Sequence, residues 1–196
     1  MKITMYDYKK GFMRNYIIPL LIVLFFSMLI VLAIFNLRVT SKYYLADLIV
    51  RDVTQLATIF ERIDQECKIL DFDYQKNRIN FLNVKSFVGS EVGPMNLAYP
   101  DKWNGPYIDD NPTYQDKEYL VVRTKKGYFV TPGEGVKLPN GQIIGKDIIL
   151  DEDADIPSMM KDENQLMFNG KQLAARLTIG VTEPGLIYQK LPIERI

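Results

Sequence analysis

The chain has 196 residues, room for one membrane segment and one modest domain. Its 24 basic and 24 acidic residues cancel, which argues against a large electrostatic nucleic-acid footprint. With no histidine and a single cysteine, Cys67, it lacks the commonest general base, the commonest zinc ligand, every histidine triad and any internal disulfide, so the expectation is that it is not an enzyme.

Residues 1–15 read as a cytoplasmic segment and Tyr16–Leu37 as a transmembrane helix. The span carries no charge, and Ser27 and Asn36 are its only clearly polar residues. Its length suits a bilayer core, and no A-x-A-like cleavage site follows Leu37, where Arg38, Val39, Thr40 and Ser41 stand. Lys2, Lys9, Lys10 and Arg14 precede the span; Arg38 and Lys42 follow it. This bias predicts a cytoplasmic N-terminus, with residues 38–196 outside. Pro19 sits in the first helical turn, where proline is best tolerated.

Residues 38–72 read as an amphipathic helix continuing from the span. Leu45, Ile49, Val53, Leu56, Phe60, Ile63, Cys67 and Leu70 recur every three or four positions and form one helical face. A helix from Tyr16 to Leu70 would be ~80 Å long. The alternative is a separate second helix capped by Ser41.

Residues 73–196 read as an exported, β-rich globular domain. The stretch 74–112 is rich in Asn, Asp, Gly and Pro and predicts irregular structure, with a short strand or helical turn at 79–84. Glu118–Arg123 and Tyr128–Thr131 predict a hairpin around Lys125-Lys126-Gly127. Gln142–Ile144 and Ile148–Leu150 are short apolar runs. Gln165–Phe168 and Lys171–Ile179 flank Asn169-Gly170, a type I′ signal for a second hairpin. The tail from Thr182 reads as loop with a short strand at Leu186-Ile187-Tyr188. The expected fold class is α+β, a long N-terminal helix packed on a small antiparallel sheet.

Gly141–Lys146 has the wrong glycine spacing for a phosphate-binding loop, and Gly89–Gly93 the wrong spacing for a nucleophile elbow. Asp151, Asp153 and Asp155 alternate within Asp151-Glu152-Asp153-Ala154-Asp155. Such dense hard oxygen ligands suit Ca²⁺; the other reading is a solvated acidic loop. Trp103 in Trp103-Asn104-Gly105-Pro106-Tyr107 reads as an anchor pinning a turn to the core.

The long helix, then Trp103–Tyr107, then Gly127-Tyr128-Phe129-Val130, then Asp153–Ile156 resemble, in that order, the type II secretion pseudopilins, above all the major, G-type branch. Ile17–Val23 also resembles a pilin N-terminus. Lys10-Gly11-Phe12 resembles a prepilin cut site, but Tyr16 stands where the fifth-position glutamate belongs. Aligning the apolar run instead places Pro19 at the glutamate and Arg14 at the glycine. The resemblance implies a pilin-like fold and calcium held by Glu134, with Asn140 as the alternative, together with Asp151, Asp153 and Asp155. It also implies a single-pass position in the inner membrane with the C-terminal domain periplasmic or extracellular. The partners would be other pilin-like subunits, an assembly platform and membrane lipid. The expected function is a structural subunit of a secretion or pilus-type filament. The alternative is an uncleaved, anchored envelope protein whose pilin-like domain serves as a scaffold or partner-binding module.

Overall fold

The computed structural model describes residues 16–179. The Gly11-Phe12 motif, the basic residues before the span, and the tail with its strand expected at 186–188 lie outside the described residues.

Helix α1 runs unbroken over Ile18–Cys67. No glycine lies within it, and its one proline, Pro19, occupies the first turn, where no helical hydrogen bond is lost. Ser41 caps nothing: its hydroxyl donates to the carbonyl of Arg38, one turn back within the same helix. By packing, the chain divides into two units at the Tyr44–Leu45 boundary.

In the first unit the side chains of residues 18–44 are exposed throughout. The helix there satisfies its own backbone hydrogen bonds and presents Leu, Ile, Val, Phe and Met outward on every side. It is long and apolar enough to cross a membrane.

In the second unit the apolar periodicity becomes a core face. Ala46, Ile49, Val53, Leu56, Ala57, Phe60, Ile63 and Cys67 are buried. The helix expected over 38–72 ends at Cys67. Lys68 turns into the left-handed region (φ 56°) and donates its N–H to the Asp64 carbonyl at 3.0 Å. The Asp64 carboxylate accepts the next N–H, that of Ile69, at 2.9 Å. This is a helix C-cap closed without glycine. Leu70, read as a core position, is therefore in a strand and 60% exposed.

Strand β1 (Ile69–Phe72) follows at once, then β2 (Lys76–Arg78), a 3-10 turn (Asn80–Asn83), β3 (Glu91–Val92) and β4 (Met95–Leu97). The stretch expected to be irregular thus contributes three strands. After β5 (Thr113–Tyr114) and β6 (Lys117–Glu118) come β7 (Leu120–Thr124) and β8 (Gly127–Thr131), paired antiparallel from Leu120 opposite Thr131 to Thr124 opposite Gly127. This is the expected hairpin, though Glu118 belongs to the small β5–β6 ribbon instead. A short helix α2 (Ile156–Met159) leads to β9 (Met167–Phe168), β10 (Lys171–Gln172) and β11 (Ala175–Leu177). The Asn169-Gly170 turn has both residues at positive φ, as type I′ requires. The second arm then departs: Leu173 and Ala174 dive into the core and β11 pairs with β8.

The main sheet has the order β11–β8–β7–β2, and a second sheet the order β1–β4–β3. The buried face of α1 joins strand residues from both in one core. Phe60 packs edge-on to Phe72 at 5.9 Å and against Phe81 at 6.2 Å. Asp52 accepts the Tyr119 hydroxyl at 3.1 Å, and Glu61 accepts that of Thr178. The fold is α+β, a long N-terminal helix packed against small antiparallel sheets.

Candidate functional site

Two features carry the functional reading: the apolar half of α1 and the acidic loop before α2. In the first, the polar groups are turned inward. Ser27 donates its hydroxyl to the Leu24 carbonyl at 2.7 Å, and Thr40 reaches the Asn36 side chain at 3.4 Å. Neither hydroxyl is left unsatisfied in an apolar surround. From Ile18 to Leu37 the outward surface carries no charge and is almost wholly hydrocarbon.

The acidic loop lies against the β7–β8 turn. The Lys125 N–H donates to the Glu152 carbonyl at 2.9 Å, which sets the two loops side by side. Thr124 shapes the turn, donating to the Gly127 carbonyl and accepting the Lys126 N–H. Lys125 pairs with Asp153, and Lys126 pairs with Asp155. The hydrogen bond and charge of Asp153 raise the Lys125 ammonium above its usual value. Asp155 is held below the usual carboxylate range by Lys126 first and then by the Ser158 N–H, which it accepts at 3.2 Å as the N-cap of α2. Pro157 in the first turn of α2 supports the same start.

The remaining expected ligands lie elsewhere. Glu134 pairs with Lys76. Asn140 gives its amide to the carbonyls of Glu163, Gln165 and Met167 and accepts the Gln142 N–H. Asp151 is exposed. Among the described residues no three carboxylates converge as a ligand set. Glu134, Asp151, Asp153 and Asp155, as placed, do not form the cage of six to eight oxygens that Ca²⁺ takes. The cations that meet three of these acids are lysines, all distant in sequence from the acids they neutralise.

Trp103 is the expected anchor. Its indole N–H donates to the Val84 carbonyl at 3.0 Å, and its ring meets Phe87 and Tyr107 edge-on at 5.4 and 4.8 Å. Tyr107 passes the contact to α1, donating its hydroxyl to Glu66 at 3.1 Å. Beside it Asp52, Gln55, Tyr107, Asp109 and Asp110 line an open cleft of about 360 Å³. The sequence reading missed this cleft; its only signal was the Asp109-Asp110 pair following the Trp103–Tyr107 motif.

Comparison with family models, with curated proteins and with solved structures yields no match to this chain.

Proposed function

We propose that this chain is a pilin-like structural subunit, anchored in a membrane by the first half of α1 and serving assembly rather than catalysis. The observation that supports this most directly is the division of labour along one uninterrupted helix. Residues 18–37 carry no charge and expose apolar side chains on every side, and residues 45–67 supply the core face of a small α+β unit. A helix built this way lies in lipid at one end and, packed beside copies of itself, fills a filament's interior. The resemblance of Trp103–Tyr107 and Asp153–Ile156 to pseudopilin motifs points the same way. In this reading the N-terminus is cytoplasmic and the folded unit lies across the inner membrane. Calcium at Glu134, Asp151, Asp153 and Asp155 belongs to the proposal only by resemblance and acid density. It would have to displace lysines that already hold three of those acids.

A second reading is a permanently anchored scaffold. Tyr16, standing where prepilins carry glutamate, favours it. Cysteine crosslinking at Phe25 and Leu32 in membranes separates the two. A ladder of multiples of the chain is expected for a filament subunit; crosslinks to monomer alone would leave the scaffold. N-terminal sequencing gives the processing state, with Met1 or Lys2 expected at the terminus. Phe12 at the mature end would overturn the uncleaved form and strengthen the filament reading.

A further inference from the structure

We infer that residues 38–44 of α1 form a collar that binds the phosphates of anionic phospholipid headgroups, through Arg38 and Lys42 with Tyr43 and Tyr44 beside them. The inference rests on the membrane reading above and adds to it a depth and a lipid class.

The depth follows from helix geometry. Tyr16–Leu37 is ~33 Å long at 1.5 Å per residue, against a hydrocarbon core of ~30 Å. Arg38 to Tyr44 adds ~10 Å, on the order of one headgroup layer. The core of the folded unit begins directly afterwards, with Leu45 half-buried and Ala46 buried. With the apolar run in the hydrocarbon, residues 38–44 stand at headgroup level.

The chemistry follows from what those residues carry. Arg38 and Lys42 are four apart and share one helix face. No acid occurs between Arg14 and Asp47, and Asp47 is engaged by Lys171. Neither Arg38 nor Lys42 has an ion-pair partner among the described residues. The hydroxyls of Thr40 and Ser41 are spent on the helix itself. The collar therefore offers two uncompensated cations. Tyr43 and Tyr44 are 41% and 68% exposed, amphipathic rings of the kind that settle at a membrane interface. A phosphate diester is the anion present at that depth, and a net negative headgroup gives the cations the larger gain.

The test uses the full chain reconstituted in phosphatidylcholine vesicles, with spin-labelled phosphatidylglycerol or phosphatidylcholine as probe. The motionally restricted fraction of each probe is read by electron spin resonance. Selection of phosphatidylglycerol is expected, falling by ~5-fold per neutralised cation in Arg38→Gln and Lys42→Gln. Selection should also weaken in 0.5 M salt and be indifferent to 10 mM inorganic phosphate. Trp103 emission checks that the variants fold; should they not, the salt dependence of the wild-type chain carries the test. Restricted lipid with undiminished selection in the folded double variant, or with no salt response, overturns the collar. Absence of any restricted lipid overturns the membrane reading itself.

Discussion

At the scale of single residues, Gly105 leaves no room for a side chain. A Cβ there would lie 2.3 Å from the Val84 carbonyl oxygen and 2.5 Å from the Trp103 indole nitrogen. Neither neighbour is free, because they are hydrogen-bonded to each other. Gly105→Ala is expected to destabilise the folded unit by ~1–3 kcal/mol and to shift Trp103 emission to the red, read by denaturant titration. Tyr107, two residues on, sets a pH response. Burial pushes its phenol from 10.0 up to about 12, and burial likewise raises the Cys67 thiol above 9.0. Both groups hold their protons more tightly folded than unfolded. Their contribution is intact below about pH 9 and is lost as pH rises towards 12. Unfolding midpoints are thus expected to be flat from neutral pH to about 9 and to fall beyond it. Tyr107→Phe should make the fall shallower without abolishing it, since Tyr119 and Tyr128 are raised by burial too.

At the scale of elements, the β7–β8 turn and the acidic loop act together. Because Lys125 and Lys126 already meet Asp153 and Asp155, calcium must displace them to bind, and a chelator is expected to lower the wild-type unfolding midpoint only where it does so. Exposed ion pairs are individually weak, so a modest loss of midpoint is expected for Lys125→Ala with Lys126→Ala. That variant leaves the loop acids uncompensated, and its midpoint should rise in millimolar calcium. A calcium response of equal size in the wild-type chain would show that the metal displaces the lysines. The sequence announced these acids through their spacing and the turn through its Lys-Lys-Gly. It did not announce that the two would meet, because their registry depends on a pairing of distant loops. The helix face was legible from Leu45 to Cys67, since a three-to-four repeat dictates a stripe. Its end was not, because a lysine in the left-handed conformation carries no compositional signal. The second hairpin was legible at Asn169-Gly170, where positive φ selects the residues. Its outer arm was misread because continuity of apolar residues does not say which strand they join.

At the scale of the whole molecule, one charge in the wrong half of α1 is expected to be decisive. Leu24→Arg places a cation near the middle of the apolar run, at a cost of ~2.5–3.5 kcal/mol for insertion. It should release the chain from membranes on alkaline extraction, or block its accumulation. Thr58→Arg, on an exposed face of the second half, should do neither. Asp64 is unsuited to that comparison, because its carboxylate closes the end of α1. Cysteine reporters placed beyond residue 100 are expected to react with impermeant reagents from outside intact cells. Labelling only after the cytoplasm is opened would reverse the topology.

The buried thiol at the end of α1 has a consequence for every such measurement. Cys67 is the sole sulfhydryl of the chain, has no exposed surface, and keeps its proton more firmly than a free cysteine. A reagent in solution reaches it only when the last turn of the helix parts from the sheets. The native chain is thus silent in the background of an introduced reporter. Its own slow alkylation is a clock, marking how often the core comes open.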